Sequence, residues 1–298
     1  MDTQAIKTFI QVANLGSFTR AAEELRYAQS TVTMQIQRLE EELGFPLFER
    51  IGRKSCLTPG GQNFLPKATQ ILRLLQEASA LGTEPSQLKG TLRVGVLESL
   101  LFAGVLPVLP DFRREFPHVD ISLKIGQASE LLAQLKQNTL DMIYISGALQ
   151  NDPALERCYQ RREDLIFLAG ADHPLARQEN IPIRQVLTCP FIMAEPSGYC
   201  YGRLHEIARE QDIPLRHSVL VDNIAAISRL LGDDRSLAFL PEYALGRELE
   251  KGELKKLSVD FPTQVYHSQL LLHRNKWLSP YMERFMALIR RLRPGDPQ

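Results

Sequence analysis

Apolar residues recur at steps of three and four along the first eighty positions, and the recurrence is interrupted at short polar corners. Ile6, Phe9, Ile10 and Ala13 share one face of a helix predicted over residues 2–15. Gly16 ends it, and Ser17 or Thr19 is placed to cap a second helix with an apolar face of Phe18, Ala21, Ala22 and Leu25. After the corner Arg26-Tyr27-Ala28, the residues Val32, Ile36, Leu39 and Leu43 define a third. So short a corner makes the last two helices cross steeply, so that one can enter a DNA major groove while the other braces it across the backbone. The exposed start of the third helix is polar, and Gln29, Ser30, Thr31 and Thr33 bring amide and hydroxyl groups to where base edges and phosphates lie. The acidic run Glu40 to Glu42 falls at its far end and reads as a solvated tail pointing away from phosphate.

Leu43 to Arg50 reads as a helix end entering a hairpin, and Leu57-Thr58-Pro59-Gly60-Gly61 as the start of a further helix running to about Leu81. On that helix Leu65, Ala68, Leu72 and Leu75 form a narrow stripe suited to a partner helix, which implies a dimer. Pro66 lies in its early turns, where it is tolerated or kinks the helix. Gly82-Thr83-Glu84-Pro85-Ser86 is a breaker-rich hinge. Beyond it, short apolar runs at 92–96, 119–123, 142–145, 165–169, 218–221, 237–240 and 269–272 alternate with helical patterns at 103–116, 129–138, 202–211, 223–231 and 279–292. Strand–helix alternation predicts an α/β domain with a mainly parallel sheet, in two lobes flanking a cleft. The expected division is a reading head at 1–58, a linker helix and hinge at 59–88, and an α/β domain at 89–298, with lobe I at about 89–160 and 266–298 and lobe II at about 161–265.

Small molecules bind in such clefts at strand ends and first helical turns, where free N–H groups suit anions. The candidates are Glu98, Ser99 and Leu100 after the first strand, Ser129 before its helix, and Ser197, Gly198 and Tyr199 ahead of the 202–211 helix. Each serine also fits a plain helix cap. If Glu98 points into the cleft, it repels a carboxylate and favours a cationic or zwitterionic ligand.

Composition narrows the classes. The 298 residues are 44% hydrophobic, enough for a small domain plus a larger one. With 35 basic and 35 acidic residues the formal net charge is zero, so nucleic-acid binding must rest on local charge. Arg20, Arg26 and Arg38 supply it near the helix pair, and Arg50, Arg53 and Lys54 in the hairpin. No run approaches the roughly 20 apolar residues of a membrane helix, and the amino terminus lacks the layout of a secretion signal, so a cytoplasmic location is expected. The cysteines at 56, 158, 189 and 200 do not form a close-spaced metal cluster, and the six histidines show no ligand spacing. No G-x-S-x-G elbow, Walker loop or H-E-x-x-H motif occurs, so no catalytic residue, metal or cofactor is expected. A cleft-containing enzyme or simple ligand-binding protein is the alternative from another class.

Taken together, GSFTRAAEEL, QSTVTMQIQRLEEELGFPLFER and LTPGGQNFL resemble the amino-terminal region of LysR-type transcriptional regulators. TLRVGV, FRREFPHVDISL, LAFLPEYAL and NKWLSPYMERFMALIRR resemble landmarks of the same family's periplasmic-binding-protein-like effector domain. The resemblance implies a winged helix-turn-helix that reads bases from Gln29, Ser30, Thr33 and Met34. Many relatives carry Pro where Ser30 stands and Arg where Met34 stands, which removes a guanine-reading fork and shifts phosphate gripping to Thr33, Gln35, Arg38 and the wing. With Thr19, Arg20, Thr31, Arg50, Arg53, Lys54 and Thr58 these form the candidate DNA face. Implied partners are promoter DNA, a small-molecule effector such as an organic acid or amino-acid derivative, RNA polymerase for an activator, and further copies of the chain in a homodimer or homotetramer. Cys200, before an Arg-bearing helix, loosely resembles the reactive cysteine of peroxide-sensing members, with a buried inert thiol as the default.

Overall fold

The computed structural model describes residues 2–51, 54–80, 84–193, 198–221, 223–233 and 235–293. The head is built on α1 (Thr3–Leu15), α2 (Phe18–Leu25) and α3 (Gln29–Leu43). Short polar and glycine signals set their ends. Asp2 accepts a hydrogen bond from the Gln4 N–H, and Ser17 accepts one from Arg20 to start α2. Gly16, at φ 59°, and Gly44, at φ 77°, close α1 and α3 in the left-handed region that glycine enters freely. A hairpin of β1 (Phe48–Ile51) and β2 (Lys54–Leu57) leads into α4 (Pro59–Ala80). Phe9 is fully buried, and its ring lies 5.5 Å from that of Phe48 and 5.2 Å from that of Phe64, locking α1 to the wing and to α4.

Two expectations change here. Leu65, Ala68 and Leu72 are buried in the head's own core beside Ile6, Phe9, Ile10 and Leu39, so α1 takes the place assigned to a partner helix. Only further along α4 does the apolar face open, with Leu75 43% and Leu74 56% exposed. Nor is Glu40 a solvated tail. Its carboxylate accepts hydrogen bonds from the N–H groups of Leu47 (2.7 Å) and Phe48 (3.2 Å), satisfying the entry to the wing.

The second unit begins with β3 (Gly90–Val96) and α5 (Glu98–Leu100), which continues through a π turn and a 3-10 turn into α6 (Leu109–Glu115). Then come β4 (Val119–Ile125), α7 (Ala128–Lys136), β5 (Met142–Gly147) and the 16-residue β6 (Leu155–Gly170). Lobe II adds β7 (Ile181–Pro182), α8 (Ile183–Leu187), β8 (Pro190–Met193), α9 (Tyr199–Glu210), β9 (Arg216–Leu220), α10 (Ile224–Asp233) and β10 (Ala238–Pro241). It ends with α11 (Gly246–Lys251), β11 (Leu254–Lys256) and β12 (Val259–Asp260), before β13 (Gln264–His273) and α12 (Pro280–Leu292) return to lobe I.

The large sheet has the order β10-β6-β13-β5-β3-β4, with β11 also on β6. Strand β3 pairs parallel with β4 and β5, and β8 with β9, but β13 is antiparallel to both β5 and β6. The sheet is therefore mixed, because two long return strands run through it. Both serve two cores. Tyr159 and Leu270 pack in lobe I around Phe112, Tyr144 and Phe285, whereas Phe167 and Tyr266 pack in lobe II around Phe191 and Phe239.

The head rests on its own α/β unit. Trp277, the single tryptophan, packs from the loop before α12 against the head's core. Beside it the Asn138 amide donates to Gln11 Oε1 (3.4 Å), and Lys276 Nζ lies 2.7 Å from both Asn138 Oδ1 and Asp141 Oδ1. Burial alone would raise the Asp141 carboxyl, but Lys276 and Arg93 hold it below the usual carboxylate range. Among the described residues no helix is long and apolar enough to cross a membrane.

Candidate DNA interface and effector cavity

Val32, Ile36 and Leu39 turn inward from α3, which sends Gln29, Ser30, Met34, Gln37 and Arg38 outward. No side chain caps the start of α3, where the Thr31 and Val32 N–H groups bond to the Ala28 carbonyl. Thr19 Oγ1 donates to Gln29 Oε1 at 3.5 Å, linking α2 to the first residue of α3. A groove of about 390 Å3 runs past Ser17, Thr19, Gln29, Thr33, Gln37 and Glu49 between the helices and the wing. Arg20 is exposed on α2, Thr31 is half-buried, and Arg38 forms a loose exposed pair with Glu42 at 3.6 Å.

Three expected DNA contacts have other duties. Thr33 Oγ1 donates to the Gln29 carbonyl (3.0 Å), as β-branched hydroxyls in helices do one turn back. Gln35 is turned toward α1, where its Oε1 accepts from the buried Thr8 hydroxyl at 2.6 Å. Thr58 is buried and starts α4, accepting from Gly61 N–H (3.0 Å) and donating to the Pro46 carbonyl (2.6 Å). Arg53 and Ser197 lie outside the described residues, as do the side chains of Arg50 and Lys54.

Between the lobes lies a cavity of about 340 Å3. Glu98, Ser99, Gly198 and Tyr199 line it as the sequence suggests, whereas Leu100 and Ser129 do not. Leu100 points into the lobe I core, and Ser129, already inside α7, faces solvent. Gln127, just before that helix, faces the cavity instead. Sequence reasoning also missed Ser146, Asn223 and Tyr266, which come from strand and helix ends brought together only by the crossover strands. Tyr266 stacks on Tyr199 with ring centroids 5.3 Å apart and planes 12° from parallel.

Glu98 spans the cleft. Its carboxylate accepts from Asn223 Nδ2 (2.9 Å) and the Ile224 N–H (3.4 Å) at the start of α10, so lobe I holds lobe II through a charge at a helix N-terminus. Behind the cavity the Tyr243 hydroxyl lies 3.2 Å from Ser99 Oγ, 3.3 Å from Ser146 Oγ and 3.1 Å from Tyr266 Oη. The Arg293 guanidinium sits over the same tyrosine ring at 4.3 Å and makes two bonds to the Glu163 carboxylate (2.7 and 2.8 Å), which also accepts from Ser268 (2.5 Å). Hydrogen bonds thus join the cavity to Tyr243, and the Arg293 cation over that ring carries the connection on to Glu163 in the crossover strand β6. LAFLPEYAL was legible as a landmark, but nothing in it marked Tyr243 as the junction.

Cys200 lines the cavity, and burial pushes its thiol up to about 12. That is the reverse of a sensing thiol, which must ionise readily to react. Iodoacetamide at pH 8 is therefore expected to leave Cys200 unmodified in the folded protein and to label it after urea unfolding. Rapid native labelling, read by peptide mass, would reverse this assignment.

Residues 3–62 match the profile described as bacterial regulatory helix-turn-helix protein, lysR family, and residues 85–293 match LysR substrate binding domain. The chain belongs to the LysR family of transcriptional regulators. This regulator is 30% identical over 292 residues to the uncharacterized HTH-type transcriptional regulator YwqM of Bacillus subtilis (strain 168), covering 98% of this chain and 99% of the other. Full-length CbnR complexed with its target DNA shares the fold at TM-score 0.54 and 20% identity, covering 98% of this regulator and 99% of CbnR. The CcmR regulatory domain of Synechocystis PCC6803, solved with 2-PG, overlays at TM-score 0.60 and 22% identity, covering 69% of the regulator and 99% of that domain.

Proposed function

We propose that this regulator binds promoter DNA with α3 in the major groove and the wing along the adjacent backbone, and that a small molecule seated between the lobes changes how it holds that DNA. The observation that carries the reading is the connected series from the cavity through Tyr243 to Arg293, just after α12, and Glu163 on the crossover strand β6. A ligand that re-partners Ser99, Ser146 or Tyr266 alters the Tyr243 hydroxyl, and one that displaces Glu98 releases α10. Either favours a different inter-lobe arrangement, and the ligand shifts the population by its differential affinity for the two. CbnR with its target DNA and the CcmR domain with 2-PG supply precedent for both partners.

The regulator acts in the cytoplasm as a homodimer or homotetramer, the exposed end of α4 around Leu74 and Leu75 supplying apolar surface for pairing, and it recruits RNA polymerase where it activates. It returns its effector unchanged and catalyses nothing. Gel shift of the full-length protein over fragments of its source genome should retain a small subset against excess random duplex. Small-metabolite extract should then change the retained footprint of the parent but not of Tyr199→Ala. Retention no better than random duplex would remove the DNA-binding role. A Tyr199→Ala response equal to the parent's would remove the cavity from it.

A further inference from the structure

Met34 is the most exposed large apolar side chain among the described residues, at 63%, and it stands on the outward face of α3. One turn to either side are Ser30 and Arg38, and Gln37 follows it, so it belongs to no apolar patch of the size a protein partner needs. Its neighbours on α3 are committed elsewhere. The Thr33 hydroxyl is bonded to the Gln29 carbonyl, Gln35 turns inward to Thr8, and Arg38 pairs with Glu42. What the first two turns of α3 can present to a groove is therefore the Gln29 amide at its start, the Ser30 hydroxyl and, one turn deeper, the thioether arm of Met34, with the Gln37 amide beyond it.

A thioether has no donor to offer a base and only a weak acceptor. On the floor of the major groove, one group gains from apolar contact: the C5-methyl of thymine, which distinguishes T·A from the other pairs there. We propose that Met34 is a specificity residue that reads a thymine methyl, burying its own exposed surface against it. The inference rests on the DNA-reading role given to α3 above, and it makes the second turn of α3 select A·T where a guanidinium would select G·C.

The contact is worth about one buried methyl group, roughly fourfold in affinity for each half-site. In the test, full-length protein first selects sites from a random duplex pool. Each thymine of the enriched site is then replaced singly by deoxyuridine, which deletes only the methyl. The parent should lose affinity about fourfold at one thymine per half-site, and about 15-fold when both are replaced. Met34→Ala should bind the site more weakly and be indifferent to those replacements, while Met34→Leu should keep the sensitivity. Because the side chain is exposed, neither variant should change the thermal midpoint. Indifference of the parent to every deoxyuridine, or a Met34→Ala protein as sensitive as the parent, overturns the proposal while leaving DNA binding intact. A pool that yields no enriched duplex overturns the DNA-reading role and this inference with it.

Discussion

Glu163→Leu is expected to destabilise the protein by about 3–5 kcal/mol, a drop in thermal midpoint on the order of 10 °C. Glu163 and Arg293 are both buried, and the guanidinium holds both carboxylate oxygens while lying over the Tyr243 ring. Removing the carboxylate strands a cation that has no water to turn to, and a guanidinium does not escape by losing its proton. The pair itself is worth far less than its loss costs. Burial raises the Glu163 carboxyl even against the pull of Arg293 and Ser268, so the fold spends stability to keep it ionised. Glu163→Leu with Arg293→Leu should therefore recover most of the lost stability, as apolar replacements of whole buried pairs do. Urea unfolding of parent, single and double variants decides this. A single variant within about 1 kcal/mol of the parent would show that the Glu163–Arg293 pair carries no structural weight. In the recovered double variant, the effector response should still be impaired, because Tyr243 has lost the cation over its ring.

The head was legible in the sequence because local signals and burial agree there. Ser17, Gly16 and Gly44 mark ends by capping and φ preference, and Val32, Ile36 and Leu39 keep helical phase with the core they fill. The α4 stripe misled because phase identifies a buried face without identifying what buries it. Leu65, Ala68 and Leu72 would show the same spacing against a partner helix as they show against α1. In the α/β unit the parallel strands β3, β4, β5 and β9 were found by their short apolar runs, whereas β8 and the two-residue strands β7 and β12 were missed. The first half of β6 was missed too, since LERCYQRRED carries its buried residues, Leu155, Tyr159 and Glu163, four apart rather than alternating. One of them is a charge whose partner lies 130 positions away. Glu98, Ser99 and Tyr199 were found because they stand at element ends. Ser129 failed by the smallest margin, since α7 begins at Ala128 and the cavity takes the residue just before that start.

Gln29→Ala is expected to cost about 1–3 kcal/mol per half-site, the size of one amide pair with the N6 and N7 edge of adenine. Gln29 is exposed as the first residue of α3, where helix-turn-helix proteins reach base edges. Its tie to Thr19 is long at 3.5 Å, so the amide is pre-aimed across the groove yet released at little cost. In a symmetric dimer the loss occurs twice, so affinity for a selected site should fall on the order of 30-fold to 10⁴-fold. Folding should be untouched, because Thr33 bonds to the backbone carbonyl of residue 29, which alanine keeps. Binding to random duplex should change little, and the slope of log K against log salt should stay the same, since that slope counts neutralised phosphates and an amide neutralises none. Fluorescence-anisotropy titrations of selected and random duplexes over a salt series separate the two quantities. Equal weakening on both duplexes would reassign Gln29 to the phosphate backbone and leave the reading of bases on α3 to Ser30 and its neighbours deeper along the helix.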